Sequence, residues 1–143
     1  MTTAQPDPSP AVELRMATFR LARRLRAQRV LDTMSDGQFA VLATLRWNGP
    51  HTLGQLAARE RVKAPSMNRT VNCLEESGYV ARVPDELDRR KANIDITDAG
   101  RDLVDRTQRT RDAWLEEALD ALSPADRDTL LRAAPLMRRV ADR

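Results

Sequence analysis

Pro65-Ser66-Met67-Asn68-Arg69-Thr70-Val71-Asn72-Cys73-Leu74-Glu75-Glu76-Ser77-Gly78-Tyr79-Val80-Ala81-Arg82-Val83 decides the fold, because its hydrophobic period changes partway through. Met67, Val71 and Leu74 recur at steps of four and three, which predicts a helix with one buried stripe. Pro65 suits the first turn of that helix, where its missing N–H has no helical partner. Gly78 permits the left-handed conformation that closes a helix. From Tyr79 to Val83 the period is two, the signature of a strand. Ala92-Asn93-Ile94-Asp95-Ile96-Thr97 repeats that period, with Ile94 and Ile96 on one face, so the two runs pair as a hairpin. Pro84 to Lys91 forms its polar, charged tip.

Working outward, Thr52-Leu53-Gly54-Gln55 is a capping box, in which side chain and backbone satisfy each other at a helix start. It opens a short helix with Leu53, Leu56 and Ala57 inward, followed by a turn near Arg61 to Ala64. Ser35-Asp36-Gly37-Gln38 is a second capping box, opening a helix that presents Phe39, Leu42 and Leu45 and stops at Asn48-Gly49-Pro50. Ala11 to about Leu31 is helical with two apolar rows, Leu14, Ala17, Leu21 and Leu25 beside Val12, Met16 and Phe19, so it needs two neighbours. Thr97 caps a long helix from Asp98 to about Leu122, with Leu103 and Trp114 on its apolar side. Ser123-Pro124 starts the last helix, which carries Leu130, Leu131, Met137 and Val140. Pro135 falls inside it, at a cost of about 3 kcal/mol or a kink, and nothing in the sequence explains it. Along the helices, carboxylates pair with arginines one turn away, Asp105 with Arg109 for example.

The expected fold class is mainly α with a small β-hairpin wing: a winged helix-turn-helix lobe plus N- and C-terminal helices. Its parts are a flexible, proline-bearing tail over 1–10, a helix over 11–34, the lobe over 35–100 and helices over 101–143.

Composition narrows the function. The 143 residues carry 24 basic and 21 acidic side chains, a formal charge of +3. Cys73 is the one cysteine and His51 the one histidine, so neither an intrachain disulfide nor a cysteine zinc site can form, and no metal or other cofactor is expected. Five scattered aromatics cannot build a platform for stacking single-stranded bases. No apolar run approaches the roughly 18 residues of a membrane span, and no secretory signal is visible, so a cytoplasmic protein without membrane contact is expected. No Ser-His-Asp spacing or phosphate-cradling glycine loop occurs among only five glycines, so an enzyme is not expected.

Two short helices, a tight turn and a charged hairpin make a winged helix, whose second helix enters the major groove of duplex DNA. On a helical wheel Ser66, Arg69 and Cys73 lie opposite Val71, with Pro65 and Glu76 flanking: a small, polar outer face. At the hairpin tip Arg89, Arg90 and Lys91 put three adjacent cations where a minor groove concentrates negative potential. Asp88, two residues from Arg90, has the reach to bond that guanidinium and fix its direction.

These residues resemble the MarR (multiple antibiotic resistance regulator) family over roughly Leu14 to Val140. The resemblance rests on Thr52-Leu53-Gly54-Gln55-Leu56-Ala57, on Pro65 to Val71 with Leu74-Glu75, and on Gly78-Tyr79-Val80. Asp88-Arg89-Arg90 followed by Ile96-Thr97-Asp98-Ala99-Gly100 is similar to the family's wing signature, Asp-x-Arg closing on Leu-Thr-x-x-Gly. It implies a transcription regulator, more a repressor than an activator, bound as a homodimer to a near-palindromic double-stranded site. The helices over 11–34 and 101–143, Trp114 included, would be the N- and C-terminal dimerisation helices, those of the two protomers intertwining. The recognition face would comprise Lys63, Pro65, Ser66, Asn68, Arg69 and Cys73, with Arg69 matching the family's helix arginine. The wing, Asp88 to Lys91, would set Arg90 in the minor groove. Two departures stand out: Lys63-Ala64 replaces the usual Ser or Thr cap, and Cys73 occupies a position that is often basic.

The resemblance also implies a small aromatic or phenolic effector, with Phe19, Arg23, Trp47 and His51 as candidate pocket residues. Two alternatives stay open on the sequence: a thiol-switched regulator acting through Cys73, and a winged-helix module that binds protein rather than DNA.

Overall fold

In a computed structural model, which describes residues 9–143, the chain is mainly helical with a small antiparallel sheet, as the sequence predicts. The elements are α1 (Pro10–Ala27), α2 (Asp36–Asn48), β1 (His51–Thr52), α3 (Leu53–Arg59), α4 (Ala64–Glu76), β2 (Val80–Pro84), β3 (Ala92–Ile96), α5 (Asp98–Asp120) and α6 (Pro124–Ala141). They divide into two compact units: Arg29–Arg109, and residues up to Gln28 together with Thr110–Arg143.

The Arg29–Arg109 unit is a winged helix-turn-helix lobe. Both capping boxes form: Ser35 Oγ accepts from the Gln38 amide at 3.1 Å and Thr52 Oγ1 from the Gln55 amide at 3.2 Å. Leu42, Leu45, Leu56, Met67, Val71 and Leu74 of the first three lobe helices close on Val80, Ile94 and Ile96 of the sheet. Leu103 and Val104 of α5 complete that core. The wing is a three-stranded sheet in the order β1-β3-β2, where the sequence predicts two strands. β1 escapes a search for period two because it is only two residues long, His51 opposite Ile94 and Thr52 opposite Asn93. Thr52 therefore serves as the last strand residue and as the cap of α3.

The closing signature has a steric origin. Thr97 Oγ1 donates to Gly78 O at 2.6 Å and accepts from the Gly100 amide at 3.2 Å, while the Thr97 amide donates to Tyr79 O at 3.0 Å. A Cβ on Gly100 would overlap the Tyr79 carbonyl oxygen and lie 2.7 Å from Ile96 Cγ1. Only glycine lets α5 start this close to the sheet.

Three expectations change. α1 starts at Pro10, with the Ser9 hydroxyl accepting from the Val12 amide, so residue 10 is helical rather than tail; the rest of that tail, residues 1–8, lies outside the described residues. α1 also ends at Ala27 rather than near Leu31, because Gln28 turns extended. Beyond it Arg29 donates to Met34 O at 3.0 Å and to Asp36 Oδ1 at 2.7 Å. Asp105 pairs with Arg46 of α2 through two bonds of 3.1 and 3.3 Å, not with Arg109. A two-pronged tertiary pair that is two-thirds buried is stronger than an exposed pair along one helix, typically worth only about 0.3–0.5 kcal/mol.

In the other unit, Ser123 caps α6 by accepting from the Asp126 amide, and Arg127 pairs with Asp120 across the α5–α6 turn. The Arg24 guanidinium lies 5.6 Å from the centre of the half-buried Trp114 ring. Neither α1 nor α6 contains a buried residue, and Leu14, Phe19, Leu130, Leu136 and Val140 are all at least half exposed. Pro135 sits inside α6, and nothing in the structure explains it.

Candidate nucleic-acid interface

α3 and α4 are joined by a tight turn in which Arg61 takes a left-handed φ of 54° and the Val62 amide donates to Ala57 O at 3.0 Å. Lys63 is the N-cap of α4 and makes no side-chain capping bond, and Pro65 in the first turn has no N–H to satisfy. Met67, Val71 and Leu74 are buried as the wheel predicts. On the other side Lys63, Pro65, Arg69 and Cys73 are exposed, while Ser66 and Asn68 are half-buried. Arg69 Nη2 donates to Ser66 Oγ at 3.4 Å.

Sequence reasoning misses Arg82. From β2 its Nη2 donates to Asn72 Oδ1 at 2.7 Å and Asn68 Oδ1 at 3.3 Å, and its Nε lies 3.5 Å from a Glu75 oxygen. The signal was present: Arg82 follows Val80 by two, and Val80 is buried, so period two sets both on the face toward the core and α4.

At the wing tip, Asp88 Oδ1 accepts from the Arg90 amide at 3.1 Å and from Arg90 Nε at 3.4 Å. The Arg90 side chain is 93% exposed, so this contact directs it without covering it. Arg89 and Lys91 are exposed beside it. The tip's shape depends on Asp85, also missed. Asp85 Oδ1 accepts from the Leu87 and Asp88 amides at 2.8 and 3.1 Å, and Oδ2 from Asn93 Nδ2 at 3.2 Å. An aspartate that bonds amides two and three residues ahead is an Asx-type turn former, which Pro84-Asp85 could have suggested.

The Leu87 amide foremost, then the Asp88 amide, Asn93 and nearby Lys91, hold the Asp85 carboxyl below its ordinary 3.8, with desolvation opposing. These bonds need the charged form. Their contribution is complete above the unfolded value and is lost as pH falls through the lowered folded one. The Leu87 and Asp88 amide resonances are expected to hold steady from neutral pH to about 4 and to shift below it. Asp85→Ala should show the acid-form shifts already at neutral pH; identical resonances in parent and variant would refute the role.

A family model, the MarR family, matches residues 34–92. An HTH-type transcriptional regulator of Mycobacterium tuberculosis is 39% identical over 132 residues, covering 92% of each chain. The chain belongs to the MarR family. A transcriptional regulator protein of Pseudomonas aeruginosa matches this MarR protein in structure with a TM-score of 0.82, at 29% identity and 92% coverage of each chain. The fold is shared as well with Bordetella bronchiseptica BpsR, whose DNA binding is regulated by 6-hydroxynicotinic acid; the TM-score is 0.67, at 22% identity and 97% coverage of each chain.

Within this MarR protein the candidate pocket residues fall in both units. Phe19 and Arg23 line an open groove along α1 with Glu13, Met16 and Arg20. Trp47 lies in the last turn of α2 and is 60% exposed, its ring 4.8 Å from the Arg46 guanidinium. His51 Nδ1 lies 2.7 Å from Gly49 O; since a carbonyl only accepts, that nitrogen carries the proton. Cys73 has a free, exposed thiol and borders a cleft of about 210 Å³ with Thr33, Gln38, Ser77 and Tyr79. Among the described residues no group of three or more His, Cys, Asp or Glu could hold a metal ion, and no helix is long and apolar enough to cross a membrane.

Proposed function

We propose that the protein is a homodimeric repressor of a near-palindromic double-stranded operator. The observation that carries this reading is the arrangement on one lobe of a slim, polar α4 face and a cationic wing tip whose Arg90 is directed by Asp88. In it Lys63, Pro65, Ser66, Asn68, Arg69 and Cys73 line the major groove, and Arg89, Arg90 and Lys91 approach the adjacent minor groove. The two lobes engage half-sites about one turn apart, ~10 bp. The dimer uses the helices over 11–34 and 101–143, a role supported by the exposed leucines of α1 and α6, which a lone chain leaves in water.

Repression is by occlusion of a promoter. A small aromatic or phenolic acid relieves it by biasing the spacing of the lobes; the regulation of BpsR by 6-hydroxynicotinic acid favours that class. The candidate ligand residues are Phe19 and Arg23, along the α1 groove, and, in the other unit, Trp47 and His51.

Genomic footprinting with the full chain tests the reading, followed by affinity measured on the recovered site. Protection should cover two half-sites, and the protein should sediment as a dimer. The logarithm of the binding constant should fall steeply with that of salt, by about 0.9 per phosphate neutralised. A flat salt dependence, or no protected site, would remove DNA from the model.

A further inference from the structure

We propose that Arg82 sets the base preference of the recognition helix by fixing which way its asparagine amides face. The inference rests on the reading that α4 enters the major groove.

A guanidinium has five N–H donors and no acceptor. The amide atoms within reach of Arg82 must therefore be the oxygens, and they are: Asn72 Oδ1 at 2.7 Å and Asn68 Oδ1 at 3.3 Å, both from Nη2. The NH2 groups of both asparagines are thereby turned away from Arg82. Ser66 repeats the pattern, because its oxygen accepts from Arg69 and its hydroxyl proton is left to donate. Glu75, an acceptor on the same helix, is held beside Arg82 Nε at 3.5 Å. Lys63 and Arg69 are donors in any orientation. Lys63, Ser66, Asn68 and Arg69, in the first half of α4, thus present donors outward, and the exposed acceptor Glu76 lies at the far end of the helix.

This arrangement selects among bases. An asparagine that reads adenine does so with both ends, the NH2 donating to N7 and the oxygen accepting from the N6 amino group. With its oxygen held toward Arg82 and its NH2 turned away, Asn68 offers a base only the donating half of that pair. Guanine offers two acceptors, N7 and O6, and no donor in the major groove. A face of donors favours guanine, and adenine presents an N6 amino group that finds no acceptor. Arg82 touches no base in this account; it is a positioning residue that converts two ambiguous amides into donors.

The test is selection of bound sequences from randomised duplex DNA with the full-length parent, Arg82→Met, Arg82→Lys and Asn68→Asp. The parent should enrich guanine over adenine by about tenfold at one position per half-site. Arg82→Met keeps the stem but frees the oxygens, so the ratio at that position should fall to near one while preferences elsewhere persist. Arg82→Lys, still a pure donor, should restore most of it, which a merely structural role would not predict. Asn68→Asp keeps the partner of Arg82 and removes the outward donor, so it must lose the preference even if Arg82→Met melts early. A guanine preference that survives in a folded Arg82→Met protein or in Asn68→Asp overturns the inference. A parent that enriches no sequence overturns the DNA reading beneath it instead.

Discussion

Arg90→Ala is expected to weaken operator binding by about a hundredfold at physiological salt while leaving the thermal midpoint unchanged. An arginine entering a groove is worth about 1–3 kcal/mol, and the proposed dimer would lose that contact twice. The midpoint should hold because the side chain is 93% exposed and its side-chain bond is the one to Asp88. Stability of an exposed pair of this kind is small. Fluorescence anisotropy on the footprinted site, beside a thermal melt, measures both. The phosphate-contact alternative is separable: a pure charge loss reduces the salt slope by about one per arginine, whereas loss of a directed groove contact also relaxes A·T preference beside the half-site. Unchanged affinity would take the wing out of the interface.

Gly100→Ala should lower the stability of the lobe by about 2 kcal/mol, a fall of roughly 5–10 °C in melting temperature. Two effects compete. Alanine favours a helix over glycine by about 1 kcal/mol. Against that, the new methyl would overlap the Tyr79 carbonyl, which the Thr97 amide holds in place at 3.0 Å, and press on Ile96 Cγ1. Backbone pinned by a hydrogen bond gives way less readily than a flexible side chain, so overpacking wins. A melt equal to or above the parent's would show that the sheet and α5 can separate cheaply.

The helices were legible in the sequence because their signals are local. Two capping boxes, a proline in a first turn and a glycine after a last turn each announce themselves within four residues, and the Met67, Val71 and Leu74 stripe needs only one element. The cationic wing tip was legible for the same reason. Features made by tertiary approach were not. β1 is too short to display a period, and Asp105 chose Arg46, 59 positions away, over the arginine one turn along its own helix. Arg82 reads as one more surface charge until the strand is laid against α4, where it meets Asn68 and Asn72.

Thr97 ties together the end of α4 at Gly78, the root of the wing at Tyr79 and the first turn of α5 at Gly100. The three elements therefore share a single pivot. Flexing between α4 and the wing at that point would have to break a Thr97 hydrogen bond or part the tight contact at Gly100. Wing and recognition-helix candidate are the two prongs of one fork, and Thr97 is where they join.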